Sequence, residues 1–131
     1  MEKEYLKLEQ LTVYQLARKL SQVGWEVYLG MDWQTRKIIG DQFIEAVDSV
    51  GANIAEGFGR FHYLDKVKFY FNARGSLLES KHWLDLLEER DKIKKEQINN
   101  FTECYQNLHP ALNGLIESVK NQKEKTLITN D

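Results

Sequence analysis

The stretch "VGANIAEGFGR", residues 50–60, decides how the rest of the chain is read. It gathers three glycines and two alanines around Asn53 and Glu56. Such density suggests a ligand loop. A phosphate loop, however, needs a strand before it, a further glycine and a following Lys-Ser/Thr, and "GFGR" has none of these. Upstream, Ile39, Phe43, Ala46, Val47, Val50 and Ile54 recur at helical spacing. The stretch therefore reads as the last turns of a helix and its exit. Gly51, Ala52 and Ala55 permit close helix approach, and Asn53 and Glu56 offer hydrogen bonds between elements. Gly57 or Gly59 is expected to take the left-handed conformation that ends a helix.

Working outward, three more segments carry the same period. Val13, Leu16, Leu20, Val23 and Val27 form the first, closed by Gly30, with Asp32 or Thr35 as the next N-cap. Val67, Tyr70, Phe71, Leu77, Leu78, Leu84 and Leu87 form the third, with Phe69, Ala73 and Trp83 off the stripe. Ile98, Phe101, Tyr105, Leu108, Leu112, Leu115 and Val119 form the fourth, around an internal Pro110. The expectation is an all-α, antiparallel up-down-up-down four-helix bundle with helices about 8–30, 34–58, 63–90 and 95–121. It occupies residues 1–124 as one domain, and 125–131 read as a frayed polar tail. The extra apolar surface of the third helix points to a second copy of the chain.

The 131 residues carry 18 Lys plus Arg and 20 Asp plus Glu, a net charge of −2. That balance predicts no broad attraction to nucleic acid or anionic membrane. No run approaches a membrane span, and the charged start "MEKEYLKLEQ" lacks a signal-peptide core. One cysteine, Cys104, excludes an internal disulfide and suits a reducing, cytoplasmic compartment. "NFT" at 100–102 matches a glycosylation sequon and is read as chance without a secretion signal. His62, His82 and His109 match no metal spacing, and Cys104 reads as half-buried and inert.

The best-supported polar feature is a strip on the second helix: Gln42, Glu45, Ser49, Asn53, Glu56 and Arg60. Levels in an antiparallel hairpin put Arg74 beside Asp48 or Ser49, and Asn53 beside Tyr70 and Leu11 or Thr12. Together with Ser76 and Glu79, these residues are expected to join helices, within the chain or across a subunit interface. Glu56 and Glu79 fall about 18 Å apart at the helical rise and cannot share a substrate in one hairpin. Pro110 falls level with Arg74 and Gly75, so Gly75 and Ser76 are expected to accept a close neighbour. Glu56 lacks a cation at its own level, and its partner is sought on another helix, another subunit or in solvent.

"VYQLARKL", "QFIEAVDSVGANIAEGFGR" and "FNARGSLLESKHWL", in this order and spacing, resemble the four helix bundle protein family, also called the ribosomal-RNA intervening sequence protein family. Some members are encoded within inserts of large-subunit ribosomal RNA genes. The resemblance covers about residues 11–120 and implies a bacterial four-helix bundle assembling as a ring-like homopentamer. The chain departs from the family pattern at Ile44 and Glu45, where members carry arginines, and at Gly51, where they carry proline. Bases and acids over residues 36–75 nearly cancel, so there is no basic stripe for phosphates. The expected function is a non-enzymatic assembly or adaptor scaffold without cofactor or small-molecule substrate. The alternative is an RNA- or ribonucleoprotein-binding accessory protein.

Overall fold

The computed structural model describes residues 6–129, with side chains through Gln122. A 3-10 turn, Leu8–Gln10, precedes α1, Thr12–Leu29. The long helix α2 comprises Trp33–Thr35, a π turn at Arg36–Gly40, and Asp41–Phe58. Helix α3 is Tyr63–Glu89 and α4 is Lys95–Thr129. Among the described residues there is no strand. The first helix starts at Thr12 rather than at about residue 8, because Leu11 is extended (φ −74°, ψ 116°) and separates it from the 3-10 turn. Helix α4 runs through Pro110 and into the segment read as tail, whose residues 130 and 131 lie outside the described residues.

The helix ends follow from local chemistry. Asp32 caps α2: its carboxylate accepts the Thr35 N–H at 2.8 Å. That bond holds the Asp32 carboxyl below its ordinary value of 3.8. A depressed pKa means the stabilisation is fully present above 3.8 and is lost as the pH falls through the lower, folded value. Asp32→Asn keeps an acceptor but no charge. It should therefore melt below wild type at neutral pH, with the difference closing in acid; pH-resolved thermal melts check this.

Gly57 and Gly59 do not adopt the left-handed conformation expected of them. Among the described residues no glycine has positive φ, and Gly59 sits at φ −77°, ψ −7°. The carbonyls at the end of α2 are met instead by Lys66, whose Nζ donates to Gly57 O at 3.3 Å and Phe58 O at 3.0 Å. Desolvation beside this helix end lowers the Lys66 pKa. The left-handed residue is Asp91, φ 55°, after α3. Its N–H bonds Glu88 O at 3.0 Å and the Lys92 N–H bonds Leu87 O at 2.9 Å, a Schellman arrangement. Glycine suits that position better, so Asp91→Gly should raise stability by about 1 kcal/mol in denaturant titration.

Helix α1 packs on α2 and α4, and α3 packs on the same two, closing a four-membered ring around the core. Neighbours run antiparallel. Gly24 meets Val47 while Ala17 meets Gly51; Gly30 lies by Gln97 while Lys19 acts on Cys104; Arg74 bonds Asn113 while Lys81 acts on Tyr105. All six stripe residues of α2 are buried. Phe43 on α2 and Phe101 on α4 meet across the centre, ring centroids 5.4 Å apart and both 0% exposed.

The stripes on α1 and α3 shift onto small residues. On α1, Ala17 and Gly24 are core while Leu16 and Val23 are half-buried. On α3 the buried set is Tyr70, Ala73, Leu77, Ser80, Leu84 and Leu87, so Ala73 is core and Leu78 is exposed, the reverse of the sequence expectation. Ser80 is tolerated there because its hydroxyl donates to Leu77 O at 2.6 Å. Gly75 accepts no neighbour: an added Cβ would meet nothing within 4 Å. Arg74 reaches Asn113 rather than the level of Pro110, and both Gly75 and Pro110 face solvent.

Candidate interaction groove

The polar strip on α2 bonds along its own helix, not between helices. Gln42 Nε2 donates to Ile38 O at 3.3 Å, Ser49 Oγ to Glu45 O at 2.7 Å, and Asn53 Nδ2 to Ser49 O at 2.9 Å. Each side chain reaches the carbonyl four residues back, the nearest acceptor for an outward-facing polar group on a helix. Tyr70 packs against Gly57, a turn beyond Asn53, so the expected Asn53–Tyr70 level is wrong. Glu56 pairs with Arg60 on the exit of the same helix. Arg74 does not reach Asp48 or Ser49; its Nη1 donates to Asn113 Oδ1 at 3.1 Å and its guanidinium lies over Phe71. Ser76 is half-buried, and its side chain makes no hydrogen bond among the described residues. Glu79 accepts from Trp83 Nε1 at 3.4 Å. Gln42, Ser49 and Glu79 do share a small cleft of about 140 Å³ with Glu45 and Ala46, while Asn53, Glu56, Arg74 and Ser76 stand apart from it. Ile44 is half-buried against the core and Glu45 is exposed.

A larger groove lies on the other side of α2, where α1 comes close. A Cβ on Gly24 would stand 2.8 Å from Val47 Cγ1, and one on Gly51 would stand 3.7 Å from Ala17 Cβ. These small residues bring the two helices together along their length. Outside the seam, Tyr14, Arg18, Ser21, Gln22 and Trp25 of α1 face Asp48, Gly51, Ala52 and Ala55 of α2 across a groove of about 450 Å³. Both sets recur every three or four residues, so each is one helical face. Gly51, Ala52 and Ala55 leave the floor low because nothing projects beyond Cβ.

The walls are aromatic and braced. Trp25 stacks on Tyr28 at 5.2 Å with planes 18° apart. The Tyr28 hydroxyl donates to Asp41 Oδ1 at 2.6 Å, which raises the phenol pKa above 10.0. Arg36 lies over the Tyr28 ring at 4.8 Å and donates to Tyr28 O and Leu29 O at 3.2 and 2.8 Å, covering the end of α1. Trp25 is thus held although 49% exposed. At the far end, Arg18 Nη1 donates to Tyr14 Oη at 3.1 Å. The Asp48 carboxylate has no hydrogen bond or ion pair among the described residues. Sequence reasoning missed Tyr14, Arg18 and Trp25, and took Asp48 for a partner of Arg74 rather than for part of this groove. Their signal is a second helical row beside the apolar stripe.

Other chemistry is sparse. Among the described residues no three of His, Cys, Asp and Glu converge on a metal-sized site. Cys104 is half-buried in an α1–α4 cleft of about 410 Å³, and burial raises its thiol pKa, which keeps it protonated. No helix is long and apolar enough to cross a membrane among the described residues.

The arrangement is that of an all-α protein whose distinguishing features are surfaces. The model of the 23S rRNA-intervening sequence protein family matches residues 9–114, and the chain belongs to that family. A solved structure of similar fold is a protein of unknown function from the S23 ribosomal protein family of Bacteroides thetaiotaomicron VPI-5482. It aligns with a TM-score of 0.75 at 21% identity, covering 80% of this chain and 98% of that one. No functionally curated protein matches the chain.

Proposed function

We propose that this protein is a non-enzymatic assembly scaffold, which self-associates through the α1–α2 groove and presents the assembly to another macromolecule. The supporting observation is the groove itself: a floor of Gly51, Ala52 and Ala55 between the braced aromatic walls Trp25 and Tyr14. Low floors of small residues admit a partner helix closely, and aromatic groups anchor interfaces. Further exposed apolar side chains, Leu64 at 68% and Leu78 at 49% on α3, leave surface for a second contact. A ring-like homopentamer is the state that the sequence resemblance implies. A reducing cytoplasm suits the lone, protonated Cys104. No catalytic residue, cofactor or metal is assigned.

The RNA-binding alternative has less local support. Many cations are already engaged within the chain: Arg36 and Lys66 on carbonyls, Arg60, Lys81 and Lys120 on carboxylates, Arg74 on Asn113, and Lys37 over the Trp33 ring. Phosphate contacts need clustered free cations. Light scattering should give a mass that is a multiple of the 15.4 kDa chain. Structured RNA, titrated across salt, should show no salt-sensitive binding near physiological ionic strength. Monomer together with salt-sensitive RNA binding would reverse the two readings.

A further inference from the structure

Where the start of α2 meets the α3–α4 connection, Gln34, Thr35, Ile38, Ile39, Arg90 and Lys92 line a notch of about 190 Å³. Its apolar part is unusual: Ile39 is buried, but Ile38 beside it is 57% exposed. The backbone on each side of the notch is a bend or turn rather than plain α-helix. On one side is the π turn Arg36–Gly40, a form that recurs at functional sites. On the other is Asp91 at φ 55°, the left-handed residue of the Schellman turn that ends α3. The reversal at Asp91 leaves Arg90 and Lys92 both on the notch, while Asp91 is not among its lining residues. Neither side chain makes a hydrogen bond or ion pair among the described residues. The Asp32 carboxylate nearby accepts the Thr35 N–H, and the Lys92 charge helps keep it ionised.

Arg90 and Lys92 together on the rim favour an anion, and the isoleucines beside them favour an apolar body, which a bare phosphate lacks. The planar Arg90 fork matches a carboxylate in two parallel hydrogen bonds. We propose that this notch binds an aliphatic carboxylate, as a free acid or as the C-terminal residue of a peptide, with Arg90 and Lys92 on the carboxylate and Ile38 and Ile39 under the chain. The site is separate from the α1–α2 groove and does not depend on it.

Methyl NMR of the isoleucine-labelled full chain, titrated with hexanoate, hexanol and acetate, tests this. Hexanoate should shift the Ile38 and Ile39 methyls saturably and bind at least about tenfold more tightly than either control. Arg90→Ala/Lys92→Ala should weaken it by about tenfold or more. Ile38→Glu, at an exposed position, should abolish it. N-acetyl-glycyl-leucine binding more tightly than hexanoate, with its amide inert, assigns a peptide C-terminus; the opposite order assigns a free acid. Equal binding of hexanol, shifts that never saturate, or an unchanged double variant would overturn the proposal.

Discussion

Phe43→Ala is expected to cost about 3–5 kcal/mol, measured by chemical denaturation. The ring is wholly buried and meets Phe101 from the helix across the core, so truncation leaves a cavity touching several helices at once. Against a typical total of about 5–15 kcal/mol, that is a large share. Phe101→Ala should cost nearly as much. The double variant should lose less than the sum, because the pair contributes about 0.5–1.5 kcal/mol beyond area burial. Phe61→Ala is the control: the ring is 89% exposed, and the change should stay within about 0.5 kcal/mol.

Gly57→Ala and Gly75→Ala should move stability in opposite directions. Both are helical, and alanine gains about 1 kcal/mol of propensity at each. At Gly57 the new Cβ would stand 2.7 and 2.9 Å from ring atoms of Tyr70, which is 2% exposed and cannot swing away. Phe69 Cβ would also stand only 3.1 Å away. Overpacking of this kind costs about 1–3 kcal/mol and outweighs the gain. At Gly75 nothing lies within 4 Å, so the propensity gain stands alone. Melting curves of the two variants should straddle wild type. Two shifts of the same sign would mean that the α2–α3 contact at Tyr70 is not what holds Gly57.

The helices were legible because large apolar residues repeat every three or four positions. The stripe of α2 was complete in the sequence, and all six of its residues are core. What periodicity could not supply was depth. Ala17, Gly24, Ala73 and Ser80 pack at the centre because they are small, yet size carries no hydrophobic signal. Levels counted from the connections placed Asn53 by Tyr70, but Tyr70 lies against Gly57, about one turn on. Arg74, placed by the same counting beside Asp48 or Ser49, bonds Asn113 instead. The carbonyls four residues back then claimed Gln42, Ser49 and Asn53 without help from another helix. The groove was harder to see. Its floor is defined by side chains that are absent, and its walls come from two helices whose spacing only the fold supplies.

Assembly through the α1–α2 groove is tested most directly by the mass of the native particle, measured for wild type and for Ala52→Glu by light scattering, with circular dichroism alongside. Ala52 is exposed on the groove floor, so a carboxylate there should leave helicity unchanged while blocking a partner helix. Wild type should give a multiple of 15.4 kDa, five-fold for the ring, and the variant 15.4 kDa. A monomeric wild type, or a folded variant that keeps the wild-type mass, would contradict assembly through this groove.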